Sequence, residues 1–213
     1  MSLKSAHTTV RRLPRRAAYD HDTVHAILDA GFVCHLGHVV EGQPFVIPTA
    51  YGRDGDVIYV HGSAVSRTLR NLGEGVPLCL TVTHLDGLVL ARSGFHSSMN
   101  YRSVVVLGSA VPVDGDEKIH ALRVISEQIL KGRWDEIRGP SRKELRATTV
   151  LRLPINEASA KVRTGPPMDD EADYALPVWA GVLPLSMRAG LLEPDPRLPA
   201  DTPLPAYLRK RRR

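Results

Sequence analysis

The first periodic stretch of the chain, "DHDTVHAILDAG", places Val24, Ile27 and Leu28 on one helical face, with Asp20 or Asp22 as N-cap and Gly31 as a stop. A short amphipathic helix is expected there. The pattern then changes to apolar, β-branched runs: "FVCHLGHVV", "PFVIPTAY", "VIYVHG", "PLCLTVTHL", "GLVLAR" and "YRSVVVLGSAVPV". Turn signals such as "EGQP", "RDGD" and "LDG" separate them, so they read as antiparallel strands. Their close spacing predicts a mainly β fold, a β-barrel or strongly curved sheet with flanking helices, rather than a parallel α/β fold.

After Asp114 the period returns to that of a helix. In "DEKIHALRVISEQILKG", Ile119, Leu122, Ile125 and Ile129 recur at helical spacing and Gly132 ends the run. Ser141 and Glu144 match a capping box at the start of "SRKELRATT", and "VLRLPINEASAKVR" returns to strand. The segment from Thr164 to Leu185 is rich in proline and acids, then apolar around Trp179, as expected of a stretch wrapping back over the body. Five prolines between Leu191 and Tyr207 predict an extended tail. The expected organisation is a basic arm over 1–16, one domain over 17–185 and a proline-rich basic tail over 186–213.

Charge sharpens this division. Five of the 28 Lys and Arg residues fall in 1–16 and five in Arg209–Arg213, whereas all 23 acidic residues lie between. The intervening body therefore carries a net charge of −5 beneath an overall +5. A nucleic-acid-binding fold carries its positive field on the folded surface, so that function is not expected and the ends read as solvated arms. No run reaches the roughly 20 apolar residues of a membrane span, and the N-terminus lacks the apolar run of a secretory signal, which predicts a cytoplasmic protein without membrane contact. Cys34 and Cys79 lie in apolar runs and read as buried reduced thiols.

Common catalytic signatures are missing: the chain has no G-x-S-x-G elbow, no Walker A loop and no H-E-x-x-H. The densest histidine group, "CHLGH", does not predict a metal site, because strand alternation sets His35 opposite Cys34 and His38. Two segments combine polar groups beyond the needs of a core. One is "YVHGSAVSR", with His61, Ser63, Ser66 and Arg67 where a strand gives way to a helix, an arrangement suited to phosphate or to simple capping. The other is "HSSMNYRSVVVLG", with Tyr101, Arg102 and Ser103 entering a strand.

Taken in order, "HGSAVSR", "NYRSV" and "WAGVLPL" resemble the pyridoxamine 5'-phosphate oxidase-like family of flavin-nucleotide-binding proteins, and within it the branch of the nitroimidazole-resistance proteins. The resemblance runs from about Arg11 to about Leu185 and leaves the tail outside. It implies a split β-barrel forming a homodimer, with FMN in a cleft at the subunit interface. By position, Ser66 and Arg67 match the phosphate-binding residues, with Ser63 in the same turn, and His61 matches a polar residue near the ribityl phosphate. Val46, Ile47, Pro48 and Thr49 match the strand along the isoalloxazine ring. Tyr101, Arg102 and Ser103 match the segment that approaches from the other subunit, and Trp179 resembles an aromatic near the cofactor.

The implied function is a flavin-dependent oxidoreductase acting on a small electron-poor organic molecule, with His61 the candidate catalytic residue for nitro-group reduction. Where the true oxidases carry a basic Arg-Leu-x-Pro segment this chain has "WAGVLPLSMRAG", so oxidation of vitamin B6 is not expected. A non-catalytic flavin module and a haem-binding protein on the same barrel are the alternatives.

Overall fold

The computed structural model describes residues 2–209. In chain order its elements are β1 (Ala17–Ala18), α1 (His21–Asp29), β2 (Val33–Val40), β3 (Gln43–Asp54), β4 (Val57–Ser63), α2 (Arg67–Gly73), β5 (Leu78–Leu90), β6 (Ser98–Gly108) and β7 (Val111–Pro112). There follow α3 (Gly115–Ile129), α4 (Arg142–Ala147), β8 (Thr148–Pro154), β9 (Glu157–Arg163), β10 (Gly181–Pro184) and α5 (Ala206–Arg209). The strands form one antiparallel sheet in the order β1-β9-β6-β5-β2-β3-β4-β8-β7, with β10 added to β5. Buried residues of β2, β3, β4, β5, β6, β8 and β9 meet in a single cluster, so the sheet curls around one core as a barrel. The mainly β expectation holds.

Local sequence explains the elements that position this core. Asp20 caps α1 by accepting the Thr23 amide at 2.8 Å, and Val24, Ile27 and Leu28 sink into the barrel end. Ser141 and Glu144 form the expected capping box on α4. Helix α3 lies outside the barrel over Tyr59 and Val150, burying Ala121 and Ile125; Ile119 and Ile129 of its expected stripe are exposed. The helix approaches β3 so closely that a Cβ on Gly52 would stand 2.7 Å from the Ile125 backbone.

Several boundaries differ from the sequence reading. "PLCLTVTHL" and "GLVLAR" are not two strands: β5 runs through, and "LDG" is a bulge between Leu85 and Gly87 rather than a turn. The inserted Asp86 reverses the alternation, so Leu78, Leu80 and Val82 face the core before it and Val89 after it. "VLRLPINEASAKVR" breaks at Pro154, its halves β8 and β9 joining opposite ends of the sheet. The "YRSVVVLGSAVPV" run likewise divides into β6 and β7.

The N-terminal arm is not wholly solvated. Leu3 is buried in the core and its backbone bonds to Tyr19 and Ala158, while Lys4, Arg11, Arg12 and Arg15 remain exposed. The segment after Thr164 does wrap back, ending in β10. The tail is mostly irregular but closes with α5, where Tyr207 rests on Gly132 and its hydroxyl donates to Glu136 at 2.7 Å. Of the basic C-terminal run, Lys210–Arg213 lies outside the described residues. No helix among the described residues is long and apolar enough to cross a membrane.

The contact at Gly52 leads to a direct test. Gly52→Ala places a methyl against backbone that has no side chain to move aside, and should destabilise the fold by roughly 1–3 kcal/mol. A denaturant midpoint indistinguishable from wild type would show that α3 does not press on β3 there.

Candidate functional site: a cleft where the sheet divides

Strand β3 changes partners along its length. Residues 43–50 pair with β2, and only Tyr51–Asp54 pair with β4. Beyond the Tyr51 and Val60 pair the two strands part, and the outer edge of β3 over 43–50 meets no strand among the described residues. The direction of that edge follows from one hydrogen bond: the Tyr51 amide donates to Phe32 on the β2 side, so alternate residues 45, 47 and 49 also face β2. Residues 44, 46, 48 and 50 face the opening. Since Pro44 and Pro48 have no N–H, the opening is lined by carbonyls and by the amides of Val46 and Ala50 alone.

The facing wall is the end of β4 and the turn into α2. Ser63 and Ser66 spend their hydroxyls locally, accepting the Val65 and Leu69 amides, each at 3.4 Å. They shape the turn. Arg67, the first residue of α2, makes no ion pair among the described residues; its guanidinium lies 5.2 Å from the Phe45 ring centroid. Phe45 in turn stacks on buried His38 at 5.5 Å. Val46 is 64% exposed and Ile47 39%, a hydrophobic lining left open among the described residues.

His61 stands near the point where β3 and β4 part. Its Nδ1 is buried without a hydrogen-bond partner, and burial lowers the imidazole pKa, so the ring is neutral at neutral pH. Alternation puts Cys34 and His38 inward and leaves His35 exposed, as expected. Burial pushes the Cys34 thiol up to about 12 and also raises Cys79, so neither offers a thiolate near neutral pH.

The structure therefore brings together Val46, Ile47, Pro48, Thr49, His61, Ser63, Ser66 and Arg67. It does not bring Tyr101, Arg102, Ser103 or Trp179 to them. Strand β6 lies three strand spacings from β3, roughly 14 Å along the sheet. Arg102 is held by both oxygens of Asp86 at 2.8 and 2.9 Å, which keeps that carboxyl below its usual range. The Ser103 hydroxyl donates to the Lys161 carbonyl, and Trp179, 69% exposed, folds over Gly181. Phe45 and His38 are the site residues the sequence reading missed. A concavity of about 430 Å³ lies elsewhere, between α3 and the end of β3, but its lining is charged, with Val124 its one aliphatic side chain.

A family model described as pyridoxamine 5'-phosphate oxidase matches residues 20–162. The chain belongs to this family. Among solved structures, this pyridoxamine 5'-phosphate oxidase family member is 45% identical to the flavocytochrome Anf3 from Azotobacter vinelandii, over 98% of this chain and 97% of that one, with a TM-score of 0.91. It is 37% identical to an FAD and heme binding protein from Mycobacterium smegmatis, over 92% and 97% of the two chains, with a TM-score of 0.89. A putative 5-nitroimidazole antibiotic resistance protein from Bacteroides thetaiotaomicron shares the fold at 24% identity and a TM-score of 0.58, over 68% of this chain and 86% of that one. No curated protein matches. The likeness to the flavocytochrome extends past Leu185, where the sequence resemblance stops.

The state of His61 can be measured. Its ring should titrate in an NMR experiment with a midpoint below the ordinary 6.5. Because the folded pKa is depressed, the associated stability is present above about pH 6.5 and is lost as pH falls and the unfolded chain takes up the proton. A midpoint at or above 6.5 would mean that the ring is not desolvated.

Proposed function

We propose that this protein is a homodimeric flavin-binding oxidoreductase that also holds haem. The observation that carries the reading is the open β3 edge facing an unpaired Arg67 and a neutral, unpartnered His61. Support for two cofactors comes from the relatives at 45% and 37% identity, described as a flavocytochrome and as an FAD and heme binding protein.

The residues present fit both groups. A flavin phosphate needs a guanidinium not already spent on a carboxylate, which Arg67 provides, and a flat ring needs strand backbone on its edge, which Val46 provides. Exposed Val46 and Ile47 supply apolar surface for the ring, with Pro48 and Thr49 continuing the wall. Haem iron takes a neutral imidazole; burial favours the neutral His61 ring, and its Nε2 would be the nitrogen offered, because Nδ1 is closed off by protein. A bound flavin supplies hydride and single-electron chemistry, and haem iron exchanges single electrons. This chain binds, orients and shields them.

Tyr101, Arg102, Ser103 and Trp179 enter the site from a second copy of the chain in this reading, since one copy holds them apart from the β3 and β4 cleft. FMN and FAD share the phosphate that Arg67 meets, and the mass of the released cofactor distinguishes them. A small electron-poor organic acceptor, such as a nitroaromatic compound, is the second reading of the substrate. There His61 donates a proton instead of holding iron, the role its place in "HGSAVSR" first implied.

Freshly purified protein should show flavin absorption together with a Soret band, and neither band would refute the proposal. Arg67→Ala should weaken flavin-phosphate binding ten- to a hundredfold, about 1.5 to 3 kcal/mol, and riboflavin binding much less. Equal effects on both ligands would remove Arg67 from the phosphate site. His61→Gln should abolish the Soret band if His61 holds iron; an intact band with turnover of a nitroaromatic lowered about a hundredfold would instead support the proton-donor role. A sedimenting monomer with full flavin occupancy would overturn the shared cleft.

A further inference from the structure

At the far end of β4 from His61, three side chains of metal-ligating type converge. His21 and His25 lie four residues apart in the first turns of α1, on one face of the helix. Both aim at the turn between β3 and β4, where Asp56 stands. His21 Nδ1 is 2.7 Å and His25 Nε2 2.9 Å from the same oxygen, Asp56 Oδ1, and all three atoms lie within 4.8 Å of one another. The rings meet edge to face, with centroids 5.5 Å apart. From these positions, we propose that His21, His25 and Asp56 bind a divalent transition-metal ion, zinc by preference, separately from the flavin cleft.

The donor set suits the ion. Two imidazoles and one carboxylate are three of the four ligands of a tetrahedral zinc site, leaving one position for water. The side chains are 29%, 21% and 56% exposed, which leaves the cluster open for metal to enter.

The frame is also fixed before any metal arrives. Gly55, with φ +54°, makes the tight turn, and Arg53 donates to its carbonyl at 2.7 Å. The Asp56 carbonyl accepts the Ile155 amide at 2.8 Å. At the other end of α1, Asp29 takes Arg53 in a two-pronged pair at 2.6 Å. The helix is thereby tied to the β3 and β4 hairpin at both ends, and its apolar face is buried along Val24, Ile27 and Leu28. Ligands carried on elements held this firmly lose little freedom on binding. Asp56 directly precedes β4 and His61 is five residues further, roughly 17 Å along an extended strand. The ion would thus act as a staple rather than as an electron partner of the cleft.

The test uses the full chain with its cofactors, stripped of loose divalent ions with EDTA and dialysed against micromolar zinc. One zinc per chain is expected, with the thermal midpoint raised by roughly 5 °C at saturation. His25→Gln and Asp56→Asn should each weaken zinc binding about a hundredfold or more and abolish that rise. His120→Gln, which removes a neighbouring imidazole paired with Asp54, should change neither. Should either ligand variant fold poorly, ring resonances of the wild type decide: zinc should shift His21 and His25 and leave His120 in place. Absence of stoichiometric zinc, equal binding by the variants, or shifts confined to other histidines would each overturn the proposal and leave the trio as a hydrogen-bonded tether.

Discussion

Strand β3 serves two partners, and the architecture follows from the point at which it changes. Up to Ala50 its ladder is completed by β2, and from Tyr51 by β4. Tyr51 is fully buried and its hydroxyl donates to the Leu28 carbonyl of α1, while Gly52, the next residue, receives α3 on the opposite face. Two helices on two sides therefore clamp the residue pair where the strand transfers. A sheet clamped there can diverge on one side of the clamp without losing its core, and the divergence is the cleft.

Several arginines elsewhere in the described residues are held by carboxylates, in contrast to the one at the cleft. Asp86 holds Arg102, Asp169 holds Arg92, and Asp29 holds Arg53. Arg67 has an aromatic ring beneath it and no carboxylate, and His61 has a buried nitrogen facing no partner. Neither condition is unique, since His38, His96 and Arg163 also keep a buried nitrogen without a partner; what distinguishes Arg67 and His61 is that they lie where two strands part, beside an open strand edge.

What was legible in the sequence was what local chemistry decides. Asp20 and Ser141 announce helix starts because a cap bond spans three residues, and the turn after His61 is spelled out by "GSAVSR". What was not legible depends on distant residues. "LDG" reads as a turn until Arg102, sixteen residues on, is seen to anchor Asp86 as a bulge. Leu3 belongs to an arm by composition, yet its bonds go to Tyr19 and Ala158. In the candidate site, His61, Ser63, Ser66 and Arg67 lie within one short run, but only the folded sheet sets Phe45 beside Arg67 and His38 against Phe45. The spacing of His21 and His25 was visible in the chain; Asp56, their common target, comes from a turn thirty-odd residues later.

The prolines of β3 have one more effect. An unpaired strand edge rich in apolar residues invites the strand of another molecule to add to it, the first step of aggregation. Pro44 and Pro48 remove alternate donors from the free edge, so the carbonyls an added strand would set opposite them meet no N–H, and only Val46 and Ala50 donate. A foreign strand finds a ladder with every second donor missing, whereas a small flat molecule needs only one or two such bonds. The same two residues thus blunt the edge towards polypeptide while leaving it single contacts to offer.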